Sequence, residues 1–264
     1  MTFDPDPAAQ ALYRTRLART SIAPLPAAIA PGDLAQGIAV QLALAHRMGA
    51  IPPGGFKIGA TAQRMQAYLG LTEPAVGFMP REGLLASGAS VPWSDLLNPG
   101  VECEIAVRLA RDLPAGHCNL TQAADAVGAV LAAIEIVENR YGPPPAGDLQ
   151  TLGTPTLIAD QVYHARAVLG APPPGWRTMD LQSIAGRITV DDEERGAGHG
   201  RDLLGHPLQA LAWLAATPVI QAFGGLRAGQ VVMLGSVTPP IWLEAPCRVT
   251  VVFEGLPAAE VRFT

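Results

Sequence analysis

The stretch Val101-Glu102-Cys103-Glu104-Ile105-Ala106-Val107 constrains this chain more than any other. Its apolar residues recur at every second position, the period of a β-strand. Val101, Cys103, Ile105 and Val107 fall on one face, and Glu102, Glu104 and Ala106 on the other. Residues i and i+2 of a strand lie roughly 6.6 Å apart at Cα, two rises of about 3.3 Å. Carboxylates held that close repel each other unless positive charge lies between them, and an oxygen-seeking divalent cation would serve. The alternative is a half-exposed strand whose glutamates face water. A second stretch shifts the balance. Leu131-Ala132-Ala133-Ile134-Glu135-Ile136-Val137-Glu138 sets Glu135 inside an apolar run, where a carboxylate is costly unless it is paired or binds a metal. Glu135 on an edge strand facing solvent is the competing reading. With three acidic side chains available, a Mg2+ or Mn2+ site at Glu102, Glu104 and Glu135 is the better one, although a sequence does not show that they converge.

The rest of the composition narrows the function. Hydrophobic residues make up 49% of the 264 residues and charged ones 16%, enough for a sizeable core and against disorder. The net charge of −5 comes with no basic run, which argues against a nucleic-acid partner. Cys103, Cys118 and Cys247 show no CxxC spacing, as expected of buried thiols in a reducing compartment. The first residues, MTFDPDPAAQ, lack the basic–apolar pattern of a signal peptide. No apolar span is long enough to cross a bilayer. A cytoplasmic protein with no membrane partner is expected.

Along the chain, residues 1–50 read as a helical layer. It has a helix over residues 8–19, a Pro- and Ala-rich connector over 21–31, and a second helix capped by Asp33 and running to about His46 or Met48. Leu34, Ile38 and Leu42 are expected on the buried face of that second helix. Residues 51–264 read as a mixed β catalytic domain, the two parts forming one compact unit. Gly54 to Gly59 reads as a glycine-bounded strand, with Phe56 and Ile58 on one face and Lys57 on the other. Helices are expected from Thr61, as cap, to Leu69 and from Thr121 to Ala133, with a loop over Pro74 to Gly88. The runs Pro143–Pro145 and Pro172–Pro174 stop regular structure, and Asp148 to Gly170 between them is a candidate lid or crossing segment. The last third reads as strands at Gly186–Val190, Gln230–Leu234, Arg248–Phe253 and Glu260–Phe263, interrupted by one helix from Pro207 to Ala216. Gly196 to Gly200 lacks a phosphate-loop context and reads as a loop. His206 reads as a cap or turn residue, and His46, His117 and His199 as structural or surface residues.

Seven short motifs then occur in order. They are Gly55-Phe56-Lys57-Ile58-Gly59, Val101 to Ala106, Ala133 to Glu138, Ile158-Ala159-Asp160, Gly205-His206-Pro207-Leu208, Leu226-Arg227-Ala228-Gly229 and Leu234-Gly235-Ser236. Together they resemble the fumarylacetoacetate hydrolase superfamily, within it the group of 2-keto-4-pentenoate hydratase and 4-oxalocrotonate decarboxylase. The resemblance covers nearly the whole chain. It implies an α+β fold, a mixed, mostly β rolled sheet with outer helices, and a Mg2+ or Mn2+ held by Glu102, Glu104 and Glu135. It implies that Lys57 lines the active site, that the substrate is a small-molecule 2-oxo acid, and that the chain forms a homo-oligomer. Ser236 matches the family and is expected on the substrate carboxylate. Arg140 lies in Glu138-Asn139-Arg140-Tyr141, the more decarboxylase-like version of its motif, and is carried as a substrate-binding candidate.

Two departures bear on the reaction. Hydratases of this group usually carry an acidic residue where this chain has Ala75, and decarboxylases an apolar one. After Asp160 the family usually continues with Asn and then a pair of serines, whereas this chain has Gln161, Tyr163 and His164. Tyr163 is a candidate for a replaced polar contact, with core packing as its alternative. His164 and Glu82 are candidates for the lost proton donor. The expected activity is a metal-dependent hydratase of an unsaturated 2-oxo acid, with a decarboxylase close behind. A C–C bond hydrolase of a diketo acid ranks lower for want of a matching His–Glu pair, and a non-catalytic subunit of a lyase complex is the remaining alternative. The absence of G-x-S-x-G argues against a serine hydrolase.

Overall fold

The computed structural model describes residues 2–141 and 149–264. In chain order the strands are β1 (Gly55–Gly59), β2 (Ala75–Met79), β3 (Leu84–Ala86), β4 (Ala89–Val91), β5 (Pro99–Leu109), β6 (Val127–Glu138), β7 (His164–Leu169), β8 (Ala185–Val190), β9 (Glu193–His199), β10 (Val231–Ser236), β11 (Ile241–Trp242), β12 (Arg248–Phe253) and β13 (Ala259–Phe263). The helices are α1 (Asp6–Ala18), α2 (Leu34–Arg47), α3 (Gln63–Leu69), α4 (Leu120–Ala126), α5 (Leu149–Leu152), α6 (Thr154–Ala159), α7 (Pro207–Ala215) and α8 (Pro218–Ala222). One sheet runs β2-β1-β10-β5-β6-β7-β3 with β11 added beside β5, and a second runs β4-β13-β12-β8-β9.

The fold is built on the β5–β6 ladder, antiparallel and paired from Pro99 opposite Glu138 to Leu109 opposite Val127. Both faces of β5 are covered. Val101, Cys103, Ile105 and Val107 enter the main core with Val249, Val251 and Phe253 of the second sheet. On the other face, Ala106 joins Leu131, Ala133, Ala167 and Met233 in a smaller cluster inside the curl of the first sheet. The face that carries the glutamates is therefore an interior face. No helix among the described residues is long and apolar enough to cross a membrane.

Several expectations need correction. The helix expected from Thr121 to Ala133 stops at Ala126, because residues 127–138 are needed as the full-length partner of β5; its cap is Asn119, whose side chain accepts from Gln122 N. The expected loop over residues 74–88 contains β2 and β3, since the apolar run Ala75–Met79 pairs along all of β1. Residues 196–199 belong to β9. Gly198 is required there because a Cβ would meet Val237 O at 2.3 Å, so the glycine lets this edge strand close over the residue that follows β10. Thr61 does not cap α3, which begins at Gln63 without a side-chain cap. A second short helix, α8, follows α7 beyond Pro218.

Asp33 does cap α2, accepting from Gln36 N at 2.8 Å. The buried face of that helix is Gly37, Val40, Gln41, Leu44 and Ala45, while Leu34 is 44% exposed. The buried stripe is set by close approach to α6, where Gly37 passes the backbone of Pro155. Residues 164–169, expected within a lid, form a strand of the first sheet between β6 and β3. Asp148 and Pro143–Pro145 lie outside the described residues.

Candidate active site

The β5–β6 register brings the carboxylates together. Glu102 lies directly opposite Glu135 in the ladder, and side chains of such pairs share one face. Glu104, two residues along β5, faces the same way and pairs across the other edge with Ser236 of β10. Ligand-type oxygens of Glu102, Glu104 and Glu135 all lie within 4.8 Å of one another. Glu104 and Glu135 are fully buried, and Glu102 is half-buried. Like charges directly opposite in a sheet are destabilising, so this arrangement calls for a counterion.

Lys57 supplies part of it. Its strand β1 runs parallel to β10, with Phe56 and Ile58 buried in the main core. The Lys57 Nζ lies 3.3 Å from Glu135 Oε1 and donates to Val162 O at 2.6 Å. His164 Nδ1 meets the same Glu135 oxygen at 2.8 Å. Glu104 Oε2 accepts from Gly235 N at 3.0 Å. Gly235 has φ 108° at an irregularity in β10, a conformation that suits glycine and turns its N–H onto the carboxylate.

Burial first, and then the charge of Glu135, pushes the Glu102 carboxyl up to about 8. Burial, Glu135 and Glu102 together raise Glu104 well above the ordinary carboxylate range. Burial would raise Glu135 too, but Lys57 and the hydrogen bond from His164 outweigh it and hold Glu135 at about 2. Burial lowers His164 despite its bond to Glu135, so the ring is neutral and its Nδ1–H donates.

Without a cation, Glu102 and Glu104 therefore keep their protons at neutral pH, and Lys57 balances Glu135; with all three carboxylates ionised against one ammonium, two negative charges would remain, which a divalent cation would cancel. Glu104 Oε1 and Glu135 Oε2 are buried without a hydrogen-bond partner, and each is the free oxygen of a carboxylate whose other oxygen is held. An all-oxygen donor set with free lone pairs suits a hard cation. The residues present fit such an ion.

Two cavity lobes meet at Glu102. One, of about 310 Å³, takes in Lys57, Tyr163 and Trp242. The other, of about 230 Å³, takes in Arg64, Ser236 and Thr238. Lys57, Glu102, Tyr163 and Ser236 are thus at the cavity, with Glu104 and Glu135 completing the carboxylate cluster behind it. The Ser236 hydroxyl donates to Thr238 O at 2.7 Å.

Three other expected site residues do not line either lobe. Glu82 is exposed on a turn between β2 and β3. Arg140 is buried and pairs with Asp160 at 2.7 Å, a carboxylate that also binds Arg16 and the Tyr141 hydroxyl. Its role there is to tie α1 and the end of α6 to the segment after β6. His164 is fully buried behind Glu135, so it can position that carboxylate but not touch a substrate. Sequence reasoning missed the Val162 carbonyl, the Gly235 N–H and the aromatic lining at Tyr68 and Trp242. Of these only Gly235, a glycine ending an apolar strand, carried a visible signal.

A buried carboxylate cluster beside a cavity, inside a rolled sheet, is an arrangement that could hold a divalent cation. The profile of the family described as Fumarylacetoacetate (FAA) hydrolase C-terminal matches residues 56–264. The chain belongs to the fumarylacetoacetate hydrolase family. It is 33% identical over 258 residues to a 2-keto-4-pentenoate hydratase of Paraburkholderia phymatum, covering 96% of this chain and 95% of that protein. It is 26% identical to a 4-oxalocrotonate decarboxylase of Pseudomonas putida, covering 79% and 76%. Among solved structures, the fold is similar to that of 4-oxalocrotonate decarboxylase from Pseudomonas putida G7 complexed with magnesium and adipate, with TM-score 0.87, 24% identity and coverage of 98% and 97%.

Proposed function

We propose that this chain is a divalent-metal-dependent hydratase of an unsaturated 2-oxo acid, adding water to a substrate of the 2-keto-4-pentenoate kind, with Mg2+ or Mn2+ held by Glu102, Glu104 and Glu135. The observation that carries this reading is the buried cluster of three converging carboxylates, open through Glu102 to a cavity. A divalent cation there supplies Lewis-acid polarisation of the 2-oxo group.

The chain's own residues do the rest. An ammonium has three N–H donors. Lys57 directs one at Val162 O and one at Glu135 Oε1, so the third is available to the cavity it lines. From there it can hold a substrate oxygen or hand over a proton. The Thr238 and Ser236 side brings the Arg64 guanidinium to the cavity for the substrate carboxylate, with the Ser236 O–H bracing the turn there through Thr238 O. Tyr163 lines the same lobe as Lys57. The family resemblance also supports a homo-oligomer.

A decarboxylase is the second reading, and residue 75 favours it. Ala75 pairs with Gly59 on β1, which puts it on the Lys57 face of that ladder. A Cβ on Gly59 would lie 3.1 Å from Lys57 Nζ, so a carboxylate at position 75 would be near the ammonium. This chain has a methyl group there, 4% exposed, so the ammonium lacks the acidic neighbour that hydratases of this group usually carry, and loss of CO2 needs no such group. The hydratase relatives keep water addition first. The test is to supply 2-hydroxypenta-2,4-dienoate and 2-oxohex-3-enedioate separately with Mg2+. Water uptake by the first supports the proposal; CO2 release from the second without hydration of the first reverses the order.

A further inference from the structure

The two lobes differ in chemistry. The Ser236 side is polar, lined by the Arg64 guanidinium, the partner a carboxylate needs, together with Asp202, Ser236 and Thr238. The other lobe is walled by Met65, Tyr68, Leu69, Val162, Tyr163 and Trp242. Its cationic lining among the described residues is Lys57, already engaged by Val162 O and Glu135.

The aromatic wall runs outward. Tyr141, 2% exposed, packs edge-on against Tyr163 at 5.2 Å, and Tyr163 packs edge-on against Trp242 at 6.3 Å. At the outer end Trp242 is 45% exposed, and Tyr68 on α3 is 67% exposed. Large aromatic surface left in water beside a cavity is surface that an apolar ligand group would cover. The lobe, at about 310 Å³, holds on the order of ten waters at roughly 30 Å³ each, more room than a terminal vinyl group fills.

We propose that this lobe selects 2-oxo acids whose distal end carries an apolar alkyl or aryl substituent, and disfavours a second carboxylate. The inference rests on the proposed reaction for the direction in which the substrate lies: its carboxylate toward Arg64 and Ser236, its 2-oxo group at Glu102, its far end among the aromatic side chains. A distal carboxylate in that lobe would lose its hydration against rings, with only the one N–H that Lys57 leaves free, on an ammonium already paired with Glu135, to offset it. A distal methylene gains burial instead, worth about a fourfold tighter complex per group.

The test uses the full chain loaded with Mg2+ and unreactive saturated 2-oxo acids, so that binding is read apart from turnover. Dissociation constants are measured calorimetrically for 2-oxopentanoate, 2-oxohexanoate, 2-oxoheptanoate, 2-oxo-5-phenylpentanoate and 2-oxohexanedioate. The expected result is tightening by about fourfold per methylene, the phenyl compound bound at least as well as 2-oxoheptanoate, and the dicarboxylate weakest. Trp242→Ala, and separately Tyr68→Ala, should shrink the increment per methylene. A flat or falling series, or a dicarboxylate that binds best, overturns the inference. The proposed reaction is judged separately by turnover of 2-hydroxypenta-2,4-dienoate. No turnover with the ranked binding intact would sink the hydratase reading and leave the specificity of the lobe standing.

Discussion

Replacing His164 tests whether the metal site is set from behind. Glu135 Oε1 has two neighbours, Lys57 Nζ at 3.3 Å and His164 Nδ1 at 2.8 Å, in a region no more than 2% exposed. Together they fix Oε1 and leave Oε2 free, the oxygen that would ligate the proposed metal. A hydrogen bond to a charged acceptor contributes about 1.5–3 kcal/mol. Loss of a partner that orients a metal ligand typically costs about 10- to 100-fold in metal affinity, which is about 1.4–2.8 kcal/mol, so the two estimates agree. His164→Leu removes the donor while keeping most of the volume. His164→Asn keeps a donor close to the Nδ1 position. Mn2+ affinity, measured by calorimetry or by the resonance signal of free Mn2+ without substrate, is expected to fall about 10- to 100-fold in His164→Leu and to stay near the parent value in His164→Asn. If His164→Leu binds Mn2+ as the parent does, or if both variants lose affinity equally, the geometry does not act as argued.

Lys57→Met should lower kcat by about 10²- to 10⁴-fold, the usual worth of an acid–base group, with the protein still folded by circular dichroism. Glu102→Gln should abolish metal-dependent turnover, and a variant retaining full activity would remove Glu102 from the ligand set. For the metal-free protein, raised carboxyl groups at Glu102 and Glu104 mean that the folded state binds more protons than the unfolded one. Their contribution is fully present below about pH 4.5 and is lost as pH rises through about 8. Thermal melts in chelator should therefore fall between about pH 6 and pH 9, by an amount on the order of a few kcal/mol, and added Mg2+ should restore more at the higher pH; a melt independent of pH would show that the cluster carries no such strain. Ala75→Asp should raise the ratio of water addition to CO2 release, and an unchanged ratio would place the determinant elsewhere in the pocket.

The carboxylate cluster was legible because a strand has a rigid period. Once Val101 to Val107 alternates, Glu102 and Glu104 must share a face, and Lys57 must oppose Phe56 and Ile58 in the same way. What the pattern could not show was register. Glu135 reaches the pair only because β6 aligns residue 135 with residue 102, and a slip of one position would have turned it to the other face. The β6 strand was itself half hidden. The stretch Ala123 to Ala133 is rich in alanine, the best helix former, and the partner requirement of β5 overrode that preference from residue 127 onward. Arg140 and Glu82 show the opposite limit. Charged residues near a motif attract a functional reading, yet Arg140 is consumed by Asp160 and Glu82 by solvent, and no local spacing distinguishes these fates from ligand binding.

The least legible element is also the one that joins the parts of the site. Gln161, Val162 and Tyr163 have φ of 66°, 54° and 65° in succession, a left-handed turn made without glycine or asparagine. Each such residue costs roughly 1–2 kcal/mol, and the cost is sharpest for the β-branched Val162. Strain of this kind persists only where the surroundings over-determine it, and here they do. The Gln161 side chain donates to Phe78 O at 2.7 Å, and its own carbonyl lies against Gly77, where a Cβ would meet it at 2.6 Å. Asp160, just before the turn, is clamped by Arg16, Arg140 and Tyr141. The result is that successive residues serve different purposes: the Val162 carbonyl holds Lys57, the Tyr163 ring walls the cavity, and the His164 ring holds Glu135. An extended strand would send residues 162 and 164 to one face and 163 to the other. The turn instead sets a carbonyl and an imidazole on a single ammonium–carboxylate pair and a ring on the wall of the cavity beside it, and that arrangement accounts for a strained backbone that propensity alone would reject.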